Sequence, residues 1–369
     1  MKAKLLFTFL ITTIYSQAQV SDFLNGFNAP NRVIIDNNII YVKETDKISQ
    51  INLSDSSPTS TLVYGNLTSP NVFTNIIKDD DIIIVAYTDD NTGISTIGSI
   101  DISQSSPTLT DQFTGLGFVQ GLAIRETQEV VGSTTVFRSI LYFTEENLTT
   151  NIVSLKKIDI TSNTPVIETV LSTGLTNPQD MEFKDDILYI GDKDTNQILS
   201  VDVTQTTPTA SVFLNGVNCR GLYVFNDFLY FSDSGIIKKV PFSNTSNITT
   251  EATDTGSSTD FLRDVVISGT NLYMPQENFG KIVTNEDLTL SLNEFTDQLS
   301  KLSFYNDENK IYIDGLTNLN LEIKIYSLTG SQILSKDVNS NNNTADISNL
   351  SSGIYVLNVD NKKTFKFVK

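Results

Sequence analysis

Gly174-Leu175-Thr176-Asn177-Pro178-Gln179-Asp180-Met181-Glu182-Phe183 runs on into Ile187-Leu188-Tyr189-Ile190-Gly191-Asp192 and then Gln197-Ile198-Leu199-Ser200-Val201-Asp202. Each run is short, rich in β-branched and aromatic residues, and closed by Gly, Asn, Asp or Pro, which is the grammar of strands joined by tight turns. An apolar run, usually containing Tyr and followed by an acid, marks the second strand. The same mark recurs as Ile40-Tyr41-Val42, Ile83-Ile84-Val85, Leu141-Tyr142-Phe143, Leu229-Tyr230-Phe231 and Leu272-Tyr273-Met274. With Leu188-Tyr189-Ile190 this makes six copies, whose central residues lie 43, 58, 47, 41 and 43 apart.

A four-strand unit repeated six times at that period predicts an all-β chain, a six-bladed β-propeller. One small sheet cannot bury both of its faces, whereas a ring of sheets can. No segment keeps the i, i+3, i+4, i+7 spacing of an amphipathic helix over three turns. The long interval before Tyr142 predicts an inserted surface hairpin around residues 126–135. Ser21-Asp22-Phe23-Leu24-Asn25-Gly26 nearly repeats Ser211-Val212-Phe213-Leu214-Asn215-Gly216, an outer strand and the turn after it. The first strand of the chain is therefore expected to supply the outer strand of the last blade.

Residues 1–18 read as a secretory signal peptide. Lys2 and Lys4 precede the apolar run 5–15, and Ser16-Gln17-Ala18 offers small residues for cleavage. The run is shorter than the roughly 20 residues that span a bilayer, and no later segment reaches that length. The formal charge is −18. Residues 301–369 hold 8 Lys against 7 Asp and Glu, and residues 1–18 add only two Lys, so the intervening segment carries −21. That surface repels phosphate backbones and argues against nucleic acid as a partner. Cys219 is the sole cysteine, so no intrachain disulfide forms, and it reads as a small buried hydrophobe. There is no histidine and no Gly-x-Ser-x-Gly elbow, which removes the usual means of activating a nucleophile.

The repeat resembles the six-bladed propellers of the NHL, YWTD and SMP-30-like group, over roughly residues 20–296 and in strand grammar rather than in a diagnostic motif. Beyond it, residues 302–369 alternate apolar and polar over Ile311-Tyr312-Ile313, 321–326, 332–338, 353–359 and 364–368, predicting a small antiparallel β-sandwich. This tail carries Ile325-Tyr326-Ser327-Leu328-Thr329-Gly330, then Ile347-Ser348-Asn349-Leu350-Ser351-Ser352-Gly353-Ile354-Tyr355-Val356-Leu357, and ends in Lys366-Phe367-Val368-Lys369. Together these resemble the type A C-terminal sorting domain of the type IX secretion system. Tyr326, Gly330, Leu350, Gly353, Tyr355 and Lys369 are its motif positions. A Pro-Asn-Pro-like opening turn is replaced by Tyr305-Asn306-Asp307. The expected division is 1–18 signal peptide, 19–296 propeller and 297–369 sorting domain with a short linker. The resemblance implies Sec-dependent export, recognition by the type IX secretion machinery, and a secreted protein or one attached to the outer-membrane surface.

Ligands of propellers sit at the mouth of the central channel, beside the start of each innermost strand. Pro30-Asn31-Arg32, Pro70-Asn71-Val72, Val119-Gln120-Gly121, Pro178-Gln179-Asp180, Cys219-Arg220-Gly221 and Leu262-Arg263-Asp264 occupy that place. Three of the five arginines in the chain, Arg32, Arg220 and Arg263, fall in this window, on blades one, five and six. Guanidinium forks suit planar anions, so these residues with Asp180 and Asp264 are the candidate ligand-binding set, for an acidic glycan or another small ligand. The alternative is that each arginine pairs with a carboxylate of its own surroundings, Arg263 with Asp264 or with Asp180 across the channel. Arg32 stands one position out of register with the other two, a slip that reverses the face of a strand residue.

No cofactor is evident. Calcium is the ion the sequence suggests: Asp192-Lys193-Asp194-Thr195-Asn196 begins like a calcium loop, but Gln197 and Val203 stand where Gly and Glu are needed. Asn31, Asn71, Gln120, Asp180 and Asp264 lie near the level at which SMP-30-like lactonases hold a divalent ion, yet no ligand pattern of that group transfers to them. Catalytic residues are not identifiable. The expected function is a ligand-binding or interaction module, with a metal-dependent lactonase-like or polysaccharide-active hydrolase as the alternative.

Overall fold

The computed structural model describes residues 20–65, 67–131, 134–254 and 262–285, and in the C-terminal part 303–307, 309–314, 321–327, 332–339, 342–351, 353–359 and 363–369. The expected signal peptide and Gly330 lie outside these residues. Two compact units are present, residues 1–288 and 289–369.

The first unit is six antiparallel four-stranded sheets, the blades. Blade one is Arg32–Asp36, Ile39–Lys43, Ile48–Asn52 and Ser60–Tyr64, and the innermost strands of blades two to five are Asn71–Asp79, Phe118–Val131, Pro178–Lys184 and Cys219–Phe225. Blade six takes Val266–Ser268, Asn271–Gln276 and Lys281–Asn285 from the end of the unit and completes itself with Ser21–Asn25 from its beginning. The strand borrowed from the N-terminal side is the one foreshadowed by its likeness to Ala210–Asn215, the outer strand of blade four.

Closure is visible in the core as well. Six apolar clusters form, each between neighbouring blades, and the last joins Val266, Tyr273 and Ile282 of blade six to Val33, Ile40 and Val42 of blade one. The recurrent second-strand triplet explains itself here. Ile40, Tyr41 and Val42 are all at most 3% exposed, because this strand is covered by a neighbouring blade on each side. Truncating the fully buried Ile40 to Ala leaves a cavity costing about 2–5 kcal/mol.

The acid that follows the triplet has a separate task. Glu145 Oε1 accepts the Gly117 N–H at 2.7 Å, Asp192 accepts those of Thr176 at 2.7 Å and Asn177 at 3.0 Å, and Asp233 accepts that of Asn218 at 3.0 Å. Glu44 holds the Asn28 N–H in the same way. In four blades, therefore, the acid at the end of the second strand pins the loop leading into the first. The channel mouth is built on those pinned loops. At the other end of the inner strands, Asn37, Asn38, Asp80, Asp185 and Asn226 take φ between 45° and 65°, the left-handed region that Asn and Asp tolerate best.

The inserted hairpin is the extension of Phe118–Val131 and Thr134–Glu146, paired to Val131↔Thr134. The third strand of blade three reaches only Ile140, so the ribbon beyond it is two-stranded.

The second unit is a sandwich of a three-stranded and a four-stranded antiparallel sheet. Ile311, Ile313, Ile323, Ile325, Leu357 and Val359 fill the space between them. Tyr355 stacks on Phe367 with ring centroids 5.6 Å apart and donates its hydroxyl to Ser351 O at 2.9 Å. Gly353 and Lys369 exchange backbone hydrogen bonds at 2.9 and 3.2 Å, fixing the chain end, and Leu350 packs against the core. Tyr326 stays half-buried, its hydroxyl 3.4 Å from Gln332 Oε1.

Candidate functional site

Each blade sets two consecutive polar or glycine residues in or just before its innermost strand, and the ring stacks them into two layers. The inner layer is Arg32, Asn75, Gly121, Asp180, Gly221 and Asp264. The outer is Asn31, Thr74, Gln120, Gln179, Arg220 and Arg263, and all six line a cavity of about 230 Å³ at the mouth, together with Arg32, Asn75 and Glu277. Register shifts just before Asn75, Leu122, Asp180 and Leu222 are what allow adjacent residues to face the axis together.

The inner layer is a lock. Asp180 accepts the N–H of Met181 in its own strand at 2.8 Å and that of Leu222 in the next blade at 2.7 Å. Asp264 accepts Val265 N–H at 2.8 Å and, across the ring closure, Val33 N–H at 2.9 Å. Asn75 accepts Ile76 N–H and donates to Gln120 O of blade three, both at 2.7 Å. Where the layer has glycine, a second-strand hydroxyl substitutes: Thr144 Oγ1 accepts Gly121 N–H and Ser232 Oγ accepts Gly221 N–H, each at 2.9 Å. Gly221 has to be glycine, because a Cβ there would lie 2.6 Å from Arg263 O and from Asp264 Cα.

Arg32 crosses this layer from blade one. Its guanidinium pairs with Asp180, reaches Asp264 at 3.4 Å, and lies 4.0 Å from Glu182 one step deeper. Asp180 and Asp264 are each 1% exposed. Burial pushes both carboxyls up from the ordinary range, outweighing the lowering effect of Arg32. Burial, and next the Asp180 charge, push Glu182 up to about 8, although its side chain stays 28% exposed. Burial alone would lower the Arg32 pKa; the three carboxyls overcome it and hold the guanidinium charged. Lys43, opposite Arg32 in the sheet, donates to Phe73 O at 2.7 Å, and burial lowers its ammonium to about 8.

The outer layer is looser. Arg263 pairs with Glu277 at 2.8 Å, and the Asn31 amide donates to the same carboxylate at 2.9 Å. The Gln179 amide donates to Asn177 at 2.6 Å. Arg220 is half-buried, and its guanidinium has no ion pair or hydrogen bond among the described residues. Burial, and then the nearby Arg263 charge, lower its pKa. Thr74 Oγ1 lies buried without a hydrogen-bond partner, and the Gln120 side chain makes no hydrogen bond among the described residues.

The structure thus separates the five expected residues. Arg32, Asp180 and Asp264 form the inner lock, and Arg220 and Arg263 reach the mouth. Arg263 takes Glu277 as its partner, and it is Arg32 that engages Asp180 and Asp264. In blade two the mouth residue is Thr74 and not Asn71, which faces Asp89 further out along a longer first strand. The order Phe73-Thr74-Asn75-Ile76 parallels Pro178-Gln179-Asp180-Met181 and carried the signal. Glu277 was also missed; Gln276 stands where four other blades place their acid, and Glu277 follows one position later. Asp192 is fully buried with its carboxylate turned onto backbone N–H groups. Among the described residues no group of three or more His, Cys, Asp or Glu is placed to hold a metal ion. Cys219 is buried against Gly191, and burial raises its thiol well above the usual range.

Comparison with known proteins bears on both units. Residues 306–369 match the family described as the secretion system C-terminal sorting domain. This is the type IX tail, and it marks the chain for export to the cell surface or the surroundings. No curated protein matches the chain in sequence. Among solved structures, the chain is similar to a luciferin-regenerating enzyme, with 10% identity and TM-score 0.51 over 72% of this chain and 94% of that one. It is also similar to a protein of unknown function from Bacteroides thetaiotaomicron, with 13% identity and TM-score 0.51 over 72% of each chain. At these identities the likeness is one of fold alone. No helix among the described residues is long and apolar enough to cross a membrane.

Proposed function

We propose that the chain is an exported binding module: a signal peptide and the type IX tail deliver it, and the channel mouth of the propeller holds a small anionic ligand. The observation that carries the ligand half is the state of Arg220. A guanidinium held half-buried in a concave polar cavity, beside a second arginine, is a strong donor set awaiting an acceptor. The lock beneath gives the mouth a rigid floor, which keeps such a site preorganised.

Two measurements test this. Deleting residues 303–369 is expected to leave the protein in the periplasm, detected by cell fractionation; surface display of the truncated chain would refute the delivery half. A screen of small anions against the full chain by calorimetry is expected to give binding that disappears in Arg220→Gln.

A further inference from the structure

Several groups at the mouth keep hydrogen-bonding capacity, and the chemistry of three of them differs from one side to the other. On blade five stands the Arg220 guanidinium, donor only. On blades two and three stand the Thr74 hydroxyl and the Gln120 amide, each able both to donate and to accept. The Asn75 amide is engaged through both its nitrogen and its oxygen, and Asn31 and Gln179 each donate one N–H within the protein, to Glu277 and Asn177. In a ring of six blades, two and five stand opposite each other. An occupant of the mouth therefore meets a cation at one end and hydroxyl-reading groups at the other.

Size and charge narrow the occupant further. The cavity, about 230 Å³, is smaller than the roughly 300–1,000 Å³ typical of sites for drug-sized ligands. Arg32 is answered by Asp180 and Asp264 beneath it, so Arg220 and Arg263 against Glu277, with the Asp194 charge also acting on Arg220, leave a positive excess of no more than about one charge at the mouth. A single anionic charge is neutralised there; a dianion or a polyanion would carry excess negative charge onto an acidic molecule.

We propose that the mouth takes a small hydroxylated monocarboxylate of about the size of one sugar acid, with its carboxylate on the Arg220 fork and its hydroxyls toward Thr74 and Gln120. This deepens the reading of the mouth as a ligand site and rests on it. The carboxylate is planar and matches two parallel guanidinium N–H donors. The polar lining, with no apolar side chain among it, leaves recognition to hydrogen bonds.

The test uses the full chain and five probes in calorimetry: galacturonate, glucuronate, the methyl ester of each, and sulfate. The acids are expected to bind, the esters to bind at least tenfold more weakly, and sulfate not to compete. Arg220→Gln is expected to abolish acid binding. Arg220→Lys, which keeps the charge and loses the fork, is expected to weaken it about tenfold. Gln120→Ala is expected to weaken the acids without raising affinity for sulfate. An unchanged urea midpoint for each variant separates lost recognition from lost fold. Equal affinity for acid and ester would overturn the carboxylate assignment while leaving the mouth as the site. Stronger binding of sulfate would overturn the monoanion assignment. Acid binding that survives Arg220→Gln would remove the ligand from the mouth and sink both readings, as would failure of all five probes.

Discussion

Arg32 and Arg220 are the same residue type, start equivalent strands, and do opposite work. Arg32 lies 6% exposed, enclosed by Asp180, Asp264 and Glu182. Arg220, one position earlier in its strand's register, is half-buried in the cavity and meets no carboxylate within ion-pair distance among the described residues. A single step along an inner strand moves an arginine from a buried ion-pair network to the wall of a cavity. Residue type around a propeller axis therefore says little until its layer is known. Below the step, side chains are held by partners in two or three blades. Above it, they face a cavity.

The contrast can be broken first at Arg32. Arg32→Ala leaves two buried carboxylates without their cation, and the expected loss is about 3–5 kcal/mol in urea denaturation, the range for removing one partner of a buried pair. A loss comparable to that of an exposed arginine would mean that the inner layer is not a lock.

A second effect is smaller and depends on pH. Glu182, Asp180 and Asp264 all have folded pKa values raised above their unfolded ones. Such groups favour the folded state fully below the unfolded carboxylate range and lose that contribution as pH rises through the folded value. Stability is therefore expected to fall from about pH 4.5 to about pH 8, the window set by Glu182. A tenfold change in proton affinity between the folded and unfolded states is worth about 1.4 kcal/mol, and solvent at the partly exposed Glu182 screens its share to roughly 2 kcal/mol. Glu182→Gln is expected to flatten the profile of unfolding free energy against pH; a profile as steep as that of the parent would remove Glu182 from the account. Lys43 acts in a separate window, because its lowered pKa penalises the fold below about pH 8 and relieves it above.

The smallest effect sharpens the contrast from the other side. Arg220→Gln is expected to change stability by no more than about 0.5 kcal/mol, as at sites away from caps, cores and buried pairs. A loss near that of Arg32→Ala would show that the outer layer is structural too.

Much of the fold is legible along the chain. The six triplets set the number of blades because buried second strands must be apolar on both faces. The acid after the triplet is visible as a pattern, although its purpose is not: that Glu145, Asp192 and Asp233 pin the loop before their own blade's first strand requires knowing which loop returns to them. The repeat of the first strand in the outer strand of blade four foretold the ring closure. Register was where one-dimensional reading failed. In blade two the longer first strand and its bulge moved Thr74 and Asn75 into the places assigned to Asn71 and Val72. Glu277 went unnoticed for a similar reason, since its blade sets both Pro275 and Gln276 between the triplet and the acid, where blades one, three, four and five set a single residue.

From residue order alone came the all-β class, the sixfold repeat, the closing strand, and the tail that marks the chain for export. These depend on local periodicity, turn chemistry and motif spacing, which a chain carries along its length. Which arginine is locked and which faces the cavity was decided only by the folded ring. That choice depends on residues 148 and 231 positions apart, Arg32 with Asp180 and Val33 with Asp264, meeting on one axis. Register shifts in the inner strands of blades two to five determine the layer to which each side chain belongs, and no periodicity in the sequence records them.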